Sequence, residues 1–167
     1  MSDNKTQLIT APQLTDFLNI NYQSFNSWCK QGILGDKFQN PGRGRRRQFD
    51  FIDICAAKIA HVILKITNRF SDAQFAVEHF RAEVGNIYSE VFFKAASNLY
   101  MFMVVSRPLD SNSDESTGVW FQNDPKPKFP FTGPYAKPTG AYIVVPIIEI
   151  IKEVQNLLDD LHKKGRD

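Results

Sequence analysis

The chain has little cysteine and no long apolar run. Cys29 and Cys55 are its two cysteines in 167 residues. That is too few for the disulfide framework of a small secreted domain. Both fall on the apolar side of predicted helices, where a reduced thiol packs as a small hydrophobe. No Cys/His spacing fits a zinc site. No apolar stretch approaches the roughly 20 residues that cross a bilayer. Met1 to Gln7 is polar and lacks the apolar core of a signal peptide, so a cytoplasmic protein is expected. Phosphate-cradling P-loops and dinucleotide fingerprints are missing. His61, His79 and His162 fall on separate predicted helices, and none neighbours a nucleophile–base pattern. Neither an enzyme nor a metal nor a cofactor is expected, and no internal repeat is visible.

What is present is a charge asymmetry. The net charge of +2 joins two unlike parts. Residues 1–70 carry ten Lys/Arg and five Asp, a balance of +5. Residues 71–167 carry ten Lys/Arg and thirteen Asp/Glu, a balance of −3. A basic first part is the electrostatic footprint of a polyanion binder. At 43% hydrophobic and 23% charged, the composition is otherwise that of an ordinary globular protein of one domain or two small ones.

The basic part opens with two short helices. Thr10, Pro12 and Gln13 form a start signal, and Leu14, Phe17 and Leu18 give the first helix its apolar stripe. Asn19 to Asn21 is a tight turn. Asn21 caps the second helix, and Gly32 ends it in a left-handed turn. Phe25, Trp28 and Cys29 share its apolar side. Tyr22, Gln23, Asn26, Ser27 and Lys30 lie on the other side, which is polar and free of acid. Such a face suits the major groove of DNA. Trp28, Phe25 and Phe49 read as core rather than as stacking platforms, with Phe49 packing back onto the third helix.

A glycine-rich loop follows. Pro41, Gly42 and Gly44 exclude a helix. Arg43, Arg45, Arg46 and Arg47 crowd into five positions, an arrangement that a phosphate backbone or narrow minor groove attracts. Pro41 to Arg45 reads Pro-Gly-Arg-Gly-Arg, similar to the core of an AT-hook. Asp50 caps a third helix with Asp53 at its third position. Ile52, Cys55, Ala56, Ile59, Val62, Ile63 and Ile66 supply its buried side.

Helix, turn, helix with Trp28 and Gly32-Ile33-Leu34 at its end, basic loop closing on Arg47, Phe49 and Asp50, then a further helix: over residues 8–66 this order resembles the winged DNA-binding domain of MerR-type regulators. Phage and mobile-element excisionases share that module. The resemblance implies a winged helix-turn-helix, with helix 21–31 in the major groove and the arginine-rich wing 42–47 on the backbone or minor groove. The family's usual arginine and tyrosine before the tryptophan are replaced by Asn26 and Ser27, which shifts affinity toward the wing. The family's metal sensors use cysteines beyond the DNA domain, and none follows Cys55 here.

The remaining residues read as α+β. Ser71 with Gln74 resembles a capping box, and Ala73, Ala76, Val77, Phe80, Val84, Ile87, Tyr88 and Val91 follow at helical spacing to about residue 96. In MerR-type proteins a long helix at this place pairs with its partner in the dimer; packing on its own domain fits the residues equally. Leu99 to Val105, Val119 to Phe121 and Ala141 to Val145 read as strands. Pro108 ends the first, and Pro146 opens a last helix whose short heptad seam of Ile147, Ile151, Val154, Leu158 and Leu161 is broadened by Ile148, Ile150 and Leu157, a stripe wide enough to pack on a sheet or in a small bundle. Tyr100, Phe102, Trp120, Phe121, Phe129, Phe131, Tyr135 and Tyr142 fill a core and an interface, or line a pocket for a small-molecule effector.

The expected class is α+β: a mainly helical winged helix-turn-helix over residues 1–70, then a dimerisation or regulatory domain over 71–167 with three strands and a C-terminal helix. The expected function is a sequence-specific DNA-binding transcriptional regulator acting as a homodimer through residues 71–167. Gln23, Asn26 and Lys30 are candidates for base edges. Tyr22, Ser27, Arg43, Arg45, Arg46 and Arg47 are candidates for phosphates and the minor groove. Two alternatives stand beside it: an excisionase-like accessory protein that bends DNA, and a protein-interaction module built on a helix-turn-helix that does not bind DNA.

Overall fold

The structure, a computed structural model, describes residues 8–40, 46–87, 101–108, 118–123 and 140–164. It is α+β, with helices predominating and antiparallel strand pairs. It divides into two compact units, one of Met1–Ala82 with Ile150–Asp167 and one of Glu83–Glu149.

In the first unit, strand β1 (Ile9–Thr10) leads into helix α1 (Ala11–Leu18). The Thr10 N–H and hydroxyl both donate to Gln13 Oε1 at 2.9 Å, which fixes the entry to the helix. Asn19 ends it at φ 53°, a left-handed conformation that asparagine tolerates better than most residues. Two residues on, Asn21 caps helix α2 (Tyr22–Lys30), its Oδ1 accepting from the Ser24 N–H at 2.7 Å. Gly32 follows α2 at φ +75°, and its N–H donates to the Cys29 carbonyl. A 3-10 turn, Asp36–Phe38, comes next.

Strand β2 (Gln48–Phe49) returns antiparallel to β1, with Phe49 opposite Ile9. Helix α3 (Phe51–Thr67) is capped reciprocally: Asp50 Oδ1 accepts from the Asp53 N–H at 2.9 Å, and Asp53 Oδ2 from the Asp50 N–H at 3.2 Å. Its buried side runs through Ile54, Cys55, Ile59 and Ile63, with Ala56, Ala57 and Ala60 allowing close approach. Ile66, expected on that side, is 62% exposed.

The core gathers Leu14 and Leu18 of α1, Phe25 and Cys29 of α2, Ile33, Leu34, Phe38 and Phe49. The Phe49 ring, expected against α3, stacks on Phe38 at 4.7 Å and meets Phe25 edge-on at 5.4 Å. Each such fully buried side chain contributes about 1.5–3 kcal/mol.

Helix α4 (Phe70–Ile87) begins one residue before the expected cap, so Ser71 lies inside its first turn. Gln74 Nε2 donates instead to Glu78 Oε1 at 3.0 Å. Ala73, Ala76, Val77 and Phe80 form its buried stripe. Helix α5 (Ile147–Lys164) buries Ile147, Ile150, Val154 and Leu158. Ile148 and Ile150, on the broad side of the stripe, are buried, whereas Ile151 is half-buried, because a helix on a core follows a 3.6-residue period rather than a heptad. Lys58 of α3 pairs with Glu153 of α5 at 2.8 Å.

The expected boundary at residue 70 therefore differs from the division observed. The first part of α4 and nearly all of α5 belong with the first unit.

The second unit holds a three-stranded antiparallel sheet in the order β4-β3-β5, from β3 (Met101–Pro108), β4 (Gly118–Asn123) and β5 (Gly140–Pro146). Val104 of β3 faces Trp120 of β4 and Val144 of β5 in register. The three strands lie where periodicity and proline put them. Arg43, Arg45, the helix extension beyond Ile87 and Tyr100, Phe129, Phe131 and Tyr135 lie outside the described residues. Among the described residues, no helix is long and apolar enough to cross a membrane.

Candidate nucleic-acid interface

Helix α2 has two chemically separate sides. Phe25, Trp28 and Cys29 are buried. Tyr22, Gln23 and Lys30 are exposed, Tyr22 to 52%, and Asn26 and Ser27 are half-buried. No acidic residue occurs in this helix. The apolar triplet at one spacing decides which side faces in, and the polar residues follow from it.

The arginine-rich loop meets α2 at its C-terminal end. Arg46 is exposed. Arg47, half-buried, turns back: its Nε donates to the Phe38 carbonyl at 2.9 Å and its NH1 to Asn26 Oδ1 at 2.8 Å. Two residues expected to touch DNA separately are therefore bonded to each other. Arginine only donates, so the atom facing it is the Asn26 carbonyl oxygen. The Asn26 amide NH2 has no hydrogen bond among the described residues. Ser27 Oγ accepts from Gln31 Nε2 at 3.2 Å and keeps its own proton to donate. The predicted site thus resolves into an exposed set (Tyr22, Gln23, Lys30, Arg46), a bonded pair (Asn26, Arg47), a half-buried hydroxyl (Ser27), and two arginines outside the described residues.

A second polar cluster holds the connection between α2 and β2 from within. Asp53 is 1% exposed. Its carboxylate takes Lys37 Nζ at 2.8 Å and Arg81 NH2 at 2.8 Å, besides the Asp50 N–H. Arg81 NH2 also donates to the Leu34 carbonyl at 3.0 Å. Sequence reading sees Asp53 as a cap alone. Its partner on α4 is 28 residues away, and no local pattern links them.

Both thiols are buried and favour the protonated form. Burial pushes Cys29 up to about 11, against the opposing pull of the Arg47 charge. Burial, reinforced by Asp50, pushes Cys55 higher still. His61 tilts against Trp28 at 6.0 Å, and burial with the charges of Lys65 and Lys58 lowers its pKa. Among the described residues no group of three His, Cys, Asp or Glu is placed to hold a metal.

Chemically, the exposed side of α2 and the root of the loop offer hydrogen-bond donors and uncompensated positive charge. Arg47 is partnered by neutral groups, so its charge is not cancelled. No protein-family model matches the chain, and no curated protein matches it in sequence.

Proposed function

We propose that the chain is a sequence-specific DNA-binding regulator whose residues 8–66 act as a winged helix-turn-helix. The observation that carries this reading is an acid-free, solvent-facing side of α2 joined directly to the root of an arginine-rich loop. In this reading α2 enters the major groove, Gln23 and Lys30 meet base edges, and Tyr22, Ser27 and Arg46 meet phosphates. Arg43 and Arg45 extend the loop along the backbone or the minor groove.

The regulator acts as a homodimer within residues 71–167, so that two copies of α2 reach two half-sites. The apolar stripe of α5 is buried within its own chain, which favours the sheet of the second unit over α5 for that contact. The same burial favours, as a second reading, a DNA-bending accessory protein that binds without a tight dimer.

The test is selection from a random duplex library with the full chain. An inverted-repeat motif is the expected outcome. Enrichment of A·T tracts without a fixed motif would instead support the accessory reading. Absence of any enriched duplex would remove DNA as the partner.

A further inference from the structure

Gln, Lys and Asn on a groove-reading helix are chemically different readers. Lysine only donates, and so prefers the N7 and O6 acceptors of guanine. A free asparagine or glutamine suits adenine, because its carbonyl accepts from N6–H2 while its NH2 donates to N7. Asn26 is not free. Its Oδ1 holds Arg47 NH1 at 2.8 Å, and Arg47 is itself anchored by the Phe38 carbonyl at 2.9 Å. The remaining lone pair of Oδ1 is weakened by the cation it already serves. An adenine N6–H2 brought to that oxygen would also meet the guanidinium, donor against donor.

The group of half-buried Asn26 left without a hydrogen bond among the described residues is its NH2, next to a positive charge. One helical turn on, Lys30 adds a second donor-only group on the same side. Resting on the DNA-binding reading above, we infer that Asn26 acts as a donor-only reader that selects guanine at its base position. Arg47 is then a positioning residue that sets this preference by engaging the carbonyl, rather than a phosphate contact.

Asn26→Asp separates the two parts of this inference. The carboxylate keeps an acceptor for Arg47, so the local fold is retained, but both N–H donors are gone. Acceptors favour the cytosine N4–H2. Duplex selection with the full wild-type chain and with Asn26→Asp locates the affected position by the difference between the two motifs. The expected result is guanine in the wild-type motif, changed to cytosine in the variant, with at least about fivefold discrimination at that position, the low end for one good base contact. Asn26→Ala, should the aspartate disturb folding by circular dichroism, is expected to erase the guanine preference without creating one for cytosine.

Adenine at the wild-type position would overturn the inference while leaving the DNA-binding reading intact. So would a motif that neither variant alters. Failure of the wild-type chain to enrich any duplex would overturn both.

Discussion

Two arginines hold the same stretch of chain, and they do it with opposite electrostatics. Arg81 reaches from α4 to the Leu34 carbonyl and to Asp53, a carboxylate excluded from water. Arg47 reaches from the end of the basic loop to the Phe38 carbonyl and to the neutral amide of Asn26. Each fastens one backbone carbonyl of the α2–β2 connection. In the first cluster the cation is paired with a buried carboxylate, and the gain is structural. In the second the charge stays available at the surface, and the gain is a positive potential beside α2. On the proposed DNA-binding reading, rigidity falls to the inner arginine and the polyanion site to the outer one.

The comparison is broken or sharpened first at Asp53. Asp53→Ala strands Lys37 and Arg81 and removes one half of the α3 cap. It is expected to cost about 2–3 kcal/mol in urea unfolding: the charge-assisted hydrogen bonds of Asp53 are lost, while Lys37 and Arg81 keep access to water. A loss under about 1 kcal/mol would show that the inner cluster is not structural.

The outer side gives the mirror-image result. Replacing Arg43, Arg45 and Arg46 together with alanine is expected to leave the unfolding midpoint nearly unchanged. It should weaken binding to all duplexes and flatten the salt dependence by up to about 3 units in slope. An unchanged slope would take the loop off the phosphate backbone.

Arg47→Ala lies between these extremes. Loss of two hydrogen bonds from a half-exposed cation is expected to cost about 1–2 kcal/mol in the same unfolding assay. A cost matching that of Asp53→Ala would erase the distinction between the two clusters.

The smallest effect is a pH slope. His61 is held neutral in the folded state by burial and by Lys65 and Lys58, so its folded pKa lies below the ordinary value of 6.5. The folded state then binds fewer protons than the unfolded chain. The associated stability is fully present above about pH 6.5 and is lost as pH falls through the lowered folded pKa. His61→Gln should flatten the decline in melting temperature between about pH 7 and pH 5.5. An identical decline in the variant would assign that slope to other groups.

The parts of the fold that were legible in the sequence are local. Asn21 and Asp50 as caps, Gly32 as the end of α2, and the burial of Phe25, Trp28 and Cys29 each depend on groups within one turn of a helix. The strands of the second unit were legible because β-branched and aromatic runs bounded by proline have few other homes. Less legible was α5: its apolar residues fit both a heptad seam and a core stripe, and burial of Ile150 over Ile151 chose the latter. Ser71 read as a cap although the helix had begun one residue earlier. The candidate site was legible as a composition, polar helix plus arginine loop, but its internal bonding was not.

By itself the sequence determined the α+β class, the starts of α1 to α3 and the stops of α1 and α2, the separation of polar from apolar sides on α2, and the positive bias of the first 70 residues. Apart from the charge bias, which is composition, these rest on hydrogen bonds and periodicities spanning a few residues, where the chain has little conformational choice. Only the tertiary structure decided that Asn26 belongs to Arg47, 21 residues on, and Asp53 to Arg81, 28 residues on. It alone assigned Lys58 to Glu153 and brought α5 back to the first unit. Such pairings depend on where packing carries each helix. A charged side chain has many partners of the right sign, and only the closed core selects among them.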